Sequence, residues 1–218
     1  MRGAFKMARL DHRSCGIKMI AGMYAVLMAG LGLCVLLDDI DFSAFYIPSW
    51  GVSMAFGFNS FLIQEKERLE RLYASLPLKD SEVVAGRYVY LFEHYFWVCI
   101  FAYCVTGVCM AASGAQAIMQ HLLIGAGGAL VVFSGIVGVQ MPIFFKHGHS
   151  QGRVAAALGF GVVGVPTSVL GEWFYDQLTI SGHVGMGTWL FLGVCLLLCI
   201  LIVVISYRVS LTAYRQHL

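Results

Sequence analysis

Charged side chains are scarce in this sequence. They make up 12% of the 218 residues, whereas apolar side chains make up 59% and the mean hydropathy is +0.79. A soluble domain carries about 25% charged residues, and a chain of this length cannot bury so much apolar surface in its own core. The composition therefore excludes a disordered protein, a nucleic-acid-binding domain and a soluble enzyme, and it predicts a multi-pass membrane protein.

The sequence also lacks the motifs that would place cofactor chemistry in this chain. It contains no GxxxxGKS/T phosphate-binding loop and no HExxH zinc motif. His147 and His149 have no third ligand nearby for a metal, and His94 and His121 lie at different predicted depths, which disfavours a b-type haem. The seven cysteines lie mostly within apolar runs, so no disulfide framework is expected. We expect no cofactor in this chain.

Long apolar runs are what the sequence does contain. Six charge-poor runs are close to the roughly 20 residues that a helix needs to cross a bilayer: 17–37, 45–63, 88–112, 121–145, 154–170 and 184–207. The runs are continuously apolar rather than alternating, which favours helices over a β-barrel. The predicted fold is an all-α integral membrane protein, a single domain over residues 1–218 with six transmembrane helices.

The basic residues are distributed on one side of these runs. All 14 Lys and Arg residues precede or enter the start of the first run, follow the sixth, or lie between runs two and three or four and five. The opposite connections hold only acidic charges: Asp38, Asp39, Asp41, Glu172 and Asp176. Because basic residues accumulate on the cytoplasmic side, both termini are predicted to be cytoplasmic. An odd number of spans would break this segregation.

Residues 64–77 predict a short amphipathic helix on the cytoplasmic side. Glu67 and Arg71 form an i,i+4 pair on the polar side, and four apolar residues form one stripe: Leu69, Leu72, Tyr73 and Leu76. Pro77 ends this helix, and Asp80 is expected to cap the next one. The helix could lie on the lipid surface, but its mixed charge fits a groove on a protein partner better.

Residues 141–153 form the second predicted cytoplasmic connection. Gly148 and Gly152 would allow a tight reversal into the fifth run, and Lys146 and Arg153 would anchor its two sides at the interface. Together with residues 64–77, this connection is predicted to present one cytoplasmic docking surface.

Two motifs in these connections carry a resemblance. The first is Ser75-Leu76-Pro77 followed by Glu82-Val83-Val84 and Gly86-Arg87-Tyr88, and the second is Pro142-Ile-Phe-Phe-Lys146-x-Gly148-x-x-x-Gly152-Arg153. Their order, spacing and sidedness resemble those of the short six-span permease subunits of bacterial ABC-2-type ABC transporters. That family usually has aromatic residues where His147 and His149 stand here.

The resemblance implies an exporter in the bacterial cytoplasmic membrane. Two such permeases, identical or sister subunits, would work with two separate ABC ATPase subunits that bind ATP and Mg²⁺. Residues 64–77 would be the coupling helix in a groove of the ATPase, and residues 146–153 a second contact. The substrates of such permeases include antimicrobial or amphipathic peptides and other hydrophobic compounds.

The resemblance also implies two features at the membrane boundary. Residues 1–14 would form an amphipathic interface helix, with Met1, Phe5 and Ala8 on one face. Residues 166–183 would re-enter the membrane from outside, between the last two spans.

Two side chains within the third run leave other functions open. Glu93 and His94 are a candidate intramembrane polar site, because an ionisable group at membrane depth is a functional-site hypothesis by default. Glu93 also lies close enough to Arg87 to snorkel to the interface. A membrane-embedded enzyme would have only this acid/base pair. A secondary transporter or scaffold working without ATP is the other alternative, although the two halves of the chain show no clear inverted repeat.

Overall fold

The computed structural model describes residues 2–15, 20–26, 29, 49, 51–52, 56–57, 61, 78–112, 118–159, 161, 166, 169 and 184–217. Four helices of 14 residues or more lie in these ranges: α1 (Arg2–Cys15), α2 (Asp80–Ala112), α3 (Ile118–Gly159) and α4 (Val184–His217). The regular structure within the described ranges is helical, as the continuously apolar runs predict.

Three of these helices contain segments that are long and apolar enough to cross a membrane. The segments are Asp80–Val108 in α2, Leu122–Gly148 in α3 and Gly187–Gln216 in α4, with mean hydropathies of 1.4, 2.3 and 3.0. They correspond to the third, fourth and sixth predicted runs. The other three runs, 17–37, 45–63 and 154–170, are only partly covered by the described residues, so the total of six spans and their orientation stay predictions.

The residue that caps the N-terminus of α2 lies one position before the residue that the sequence predicts as the cap. The backbone N–H groups of Glu82 and Val83 donate to the Lys79 carbonyl at 2.8 and 3.1 Å, and the Glu82 carboxylate accepts from the Lys79 N–H at 3.3 Å. Glu82 thus closes the first turn in the manner of a capping box, with Lys79 as the cap. Asp80 lies inside the first turn, where its charge favours the positive end of the helix dipole.

α3 continues well past the end of the fourth predicted run. Its backbone stays helical through Pro142 and is broken at Gly148, which has φ 69° and ψ −175°. A residue with a side chain rarely adopts this φ, so glycine is required there. Helix resumes beyond Gly148 and includes Gly152. The sequence predicts a tight reversal at Gly148 and Gly152. In the structure the helix is broken at Gly148, and Gly152 lies within helix.

Hydroxyl groups link α2, α3 and α4 to each other. The Tyr88 hydroxyl of α2 lies 2.5 Å from the Ser206 Oγ and 2.9 Å from the Ser210 Oγ of α4. Ser206 in turn donates to the Gly138 carbonyl of α3 at 2.9 Å. A Cβ on Gly138 would lie 2.8 Å from the Ile202 Cγ2, so the two helices approach at the distance that only glycine permits. These contacts fix the packing of α4 on α3 and α2.

The side of α4 that faces away from α3 is apolar and exposed. Trp189, Leu190 and Leu197 are each about 70% exposed, and only 17% of the spanning segment is buried in the protein. In α3 the corresponding share is 61%. α3 is therefore the central helix of the described part, and α4 has the surface of a helix that contacts lipid or another membrane protein.

Candidate functional site

α1 packs closely against the first turns of α2. Ala4, Met7 and Ala8 are buried, and a Cβ on Gly86 of α2 would lie 2.5 Å from the Met7 Cβ. The glycine lets the two backbones approach. Phe5 of the same helix is 63% exposed, whereas Ala8 is buried. The position of α1 at a membrane interface stays a prediction.

A buried ion pair joins the same two helices. The Asp11 Oδ2 of α1 lies 3.2 Å from the Arg87 Nε of α2, and both side chains are almost fully buried. The Arg87 guanidinium also lies over the Phe61 ring, 4.8 Å from its centroid. Sequence reasoning placed Arg87 among the basic residues of the predicted cytoplasmic side and in one of the two motifs, but it missed Asp11 as its partner. The available signal was that Asp11 is the one acidic residue among the first 37.

His94 is the centre of an aromatic cluster one to two turns further along α2. Its ring stacks on Phe56 at 3.9 Å and meets Tyr90 and His12 edge-on at 4.6 and 4.9 Å. The Tyr24 hydroxyl lies 2.8 Å from its Nδ1, and its Nε2 has no hydrogen-bond partner among the described residues. The imidazole therefore connects α1 and α2 to residues of the first two predicted runs.

Glu93 and His94, the candidate intramembrane polar site, point in different directions. Glu93 is exposed, whereas His94 is buried, because adjacent residues of an α-helix project about 100° apart. Arg87, which lies nearer the start of α2, is held by Asp11. The structure therefore places His94 in a packing cluster and Glu93 on the outer surface of α2. That these two residues form a functional polar site stays a prediction.

Gln140 of α3 is a buried polar residue that sequence reasoning missed. It is 2% exposed, and neither its Oε1 nor its Nε2 has a hydrogen-bond partner among the described residues. A Cβ on Gly57 would lie 3.5 Å from the Oε1. Buried polar groups are nearly always hydrogen-bonded, so a polar side chain within an apolar run needs a partner. The position of Gln140 inside the fourth run was therefore the sequence signal that could have identified this residue.

The candidate ATPase-coupling residues are only partly covered by the structure. Residues 64–77 lie outside the described residues, and with them seven predicted contacts: Glu67, Leu69, Arg71, Leu72, Tyr73, Leu76 and Pro77. In the second connection, Lys146 and His147 are exposed just before the break at Gly148. Gly152 and Arg153 lie in the helical segment after it. The structure thus presents Lys146 at a surface beside a change in chain direction.

The described residues contain no group of three or more His, Cys, Asp or Glu side chains that could hold a metal ion. His94 and His147 therefore belong to no such group among the described residues. The expectation that the chain carries no cofactor stays a prediction.

Comparison with known proteins identifies one family. The model of the ABC-2 family transporter proteins matches residues 15–215. Among the described residues, this range contains the spanning segments of α2 and α3 and all but the last residue of the segment in α4. No curated protein and no solved structure matches the chain significantly. The family match confirms the resemblance seen in the two motifs of the predicted cytoplasmic connections, and such permeases work with an ABC ATPase. The chain therefore belongs to the ABC-2 family of transporter proteins, as the membrane-embedded permease of an ABC transporter.

Proposed function

We propose that this chain is the permease subunit of an ATP-driven exporter that moves a hydrophobic or amphipathic substrate, such as an antimicrobial peptide, outward. The observation that carries the proposal is the family match over residues 15–215. The sequence contains no phosphate-binding loop, so ATP and Mg²⁺ would bind to a separate ATPase subunit. Family membership favours this function over a secondary transporter, a scaffold or a membrane-embedded enzyme.

The proposed topology has six spans with both termini in the cytoplasm of a bacterial cell. Its support is the segregation of all 14 basic residues. The three spanning segments in α2, α3 and α4 agree in position with runs three, four and six. Under this topology the start of α2, the break at Gly148 and the end of α4 face the cytoplasm together.

The proposed coupling surface combines residues 64–77 with residues 146–153. In the first segment the apolar stripe would enter a groove of the ATPase, and the charged residues would lie at its rim. In the second segment, exposed Lys146 and the positive φ of Gly148 support a connection that projects from the bundle. Two permease copies, identical or sister subunits, would complete the transporter.

Co-purification from native membranes tests the proposed function. Tagged chain is extracted in a mild detergent, and its partners are identified by mass spectrometry. We expect an ABC ATPase with a phosphate-binding loop in the eluate, and ATP hydrolysis that is lost when this subunit is stripped away. The purified chain alone should show no ATPase activity above background. Robust hydrolysis by chain free of any other protein would contradict the proposal, as would export that persists without the ATPase.

A further inference from the structure

A groove lies between α3 and α4 at the end that the basic residues predict to be cytoplasmic. Its volume is about 360 Å³, and it is lined by Lys146 of α3 and by one face of α4: Arg208, Val209, Thr212, Ala213 and Gln216. None of the described residues in this lining carries a carboxylate. The groove therefore brings two cations from different helices to one concave surface.

The two cations of the groove have no ion pair within the described part of the chain. Lys146 and Arg208 are both exposed, and the two salt bridges found there involve other residues. Arg215, two turns beyond Arg208 on α4, differs because its Nε lies 3.5 Å from the Asp80 Oδ2. Like charges that face one space repel each other, and an anion placed between them would offset this repulsion.

An apolar stripe on α4 leads directly into the groove. Leu201, Ile205 and Val209 follow each other at i, i+4 and i+8, and each is more than half exposed. Val209 is also part of the groove lining. A ligand that fits both surfaces has an anionic group at one end and a hydrocarbon chain at the other.

The position of the groove along α4 matches the depth of lipid headgroups. Arg208 is the first charged residue of α4, after the apolar residues that precede it from Val184 onward. Basic residues at the end of a span lie where the hydrocarbon core gives way to the interface. Basic pockets between transmembrane helices on the cytoplasmic side are typical sites for anionic lipid headgroups.

We propose that Lys146 and Arg208 bind the phosphate of an anionic phospholipid, such as phosphatidylglycerol, whose acyl chain lies along Leu201 and Ile205. The proposal depends on neither the direction of transport nor the substrate. Ordinary snorkelling would bring each cation to the interface independently. The shared groove instead predicts that both cations act on the same headgroup.

Lipid titration followed by native mass spectrometry tests the site. The full-length chain in a neutral detergent is titrated with phosphatidylglycerol and, separately, with phosphatidylcholine that has identical acyl chains. We expect phosphatidylglycerol to bind the unaltered chain at least tenfold more tightly. Lys146→Gln or Arg208→Gln should each weaken its binding about fivefold, and the double variant should bind both lipids equally. Lys146→Arg should retain the preference.

Arg215→Gln is the matched control, because it removes one cation from the same end of α4 but outside the groove. Its affinity for phosphatidylglycerol should stay within twofold of that of the unaltered chain. An equal loss in this control would show that net charge, rather than the groove, selects the lipid, and it would overturn the proposal. An unchanged preference in a double variant that elutes as the same species and melts at the same temperature would also overturn it.

Competition experiments separate the lipid from other anions. Glycerol 3-phosphate and inorganic phosphate should displace phosphatidylglycerol only weakly, because they lack the chain that contacts Leu201 and Ile205. Equal competition by these soluble anions would show that the groove binds a free phosphate compound rather than a lipid, and it would overturn the proposal. If the double variant lost a co-purifying ATPase while its lipid affinity stayed unchanged, the groove would belong to that partner and the proposal would fail.

Discussion

At the scale of single residues, the attachment of α1 to α2 depends on two unusual requirements. The buried Asp11–Arg87 pair needs both of its members, because removal of one leaves the other charge without this partner in a dry environment. Gly86 needs to lack a side chain, because the Met7 Cβ and the Ala4 carbonyl occupy the adjacent space. Both features join the N-terminal helix to the first turns of a spanning helix.

Substitution of Asp11 tests the buried pair. Asp11→Asn removes the carboxylate charge beside Arg87, and we expect it to destabilise the packed α1 by roughly 3 kcal/mol, as is typical of broken buried pairs. A cysteine at position 7, buried against α2 in the unaltered chain, should then become reactive to a soluble maleimide. Asp80→Asn is the control, because it breaks the exposed pair with Arg215, which should contribute less than about 1 kcal/mol. Similar small effects from both variants would contradict the buried pair.

Substitution of Gly86 tests the close approach. Gly86→Ala should push α1 away from α2, since the new methyl group would meet Met7 at 2.5 Å. Gly193→Ala is the matched control, because beyond the adjoining backbone of α4 no atom of the described residues lies within 4 Å of a Cβ at that position. Alanine is favoured over glycine within a helix by about 1 kcal/mol, so this control should be neutral or stabilising. Thermal unfolding in detergent distinguishes the two, and an equally tolerated Gly86→Ala would contradict the contact.

At the scale of elements, the sequence predicts helices well and their contacts poorly. The apolar runs identified α2, α3 and α4 because a spanning helix requires a continuous stretch of apolar residues. The fourth run already extends through Pro142 to residue 145, but it does not show that the helix continues to the break at Gly148 and resumes beyond it, because those residues are no longer continuously apolar. Nor does any local pattern connect Asp11 with Arg87, because their pairing depends on the docking of two separate helices.

The amphipathic segment 64–77 carries the main prediction about an element. Leu72→Ala combined with Tyr73→Ala should release the ATPase, because buried anchors typically contribute more than about 2 kcal/mol to an interface. Arg71→Ala should mainly make the complex more sensitive to salt, as expected of a charge at the rim. Co-purification of the ATPase with tagged permease is the measurement.

A control for membrane insertion accompanies this double variant. Both variants should reach the membrane in normal amounts, since the altered residues lie outside the predicted spans. If the double variant inserts normally and still retains its ATPase, the segment is not the docking element. The helix would then be better explained as lying on the lipid surface.

At the scale of the whole molecule, composition and two sequence motifs predict most of what is confirmed. The low charge content predicts a membrane protein, and the motifs in residues 75–88 and 142–153 predict the ABC-2 family. Buried polar contacts were beyond this reasoning. No sequence pattern indicates that His94 contacts Tyr24, Phe56 and His12, which are distant from it in the sequence. Such a cluster depends on the packing of separate helices, and this packing cannot be predicted from the sequence of any one run.

The six-span topology is tested by the accessibility of single cysteines to a membrane-impermeant maleimide. All 14 basic residues fall on one predicted side, and each Lys or Arg moved across the membrane would oppose the positive-inside rule. Cysteines at positions 39 and 176 should therefore react in intact cells. Those at positions 66 and 150 should react only after permeabilisation, and the native cysteines are replaced beforehand so that each signal has one source. External labelling at position 66 would show that the spans before it are inverted or shifted. It would also show that residues 64–77 lie outside the cytoplasm, where an ATPase could not bind them.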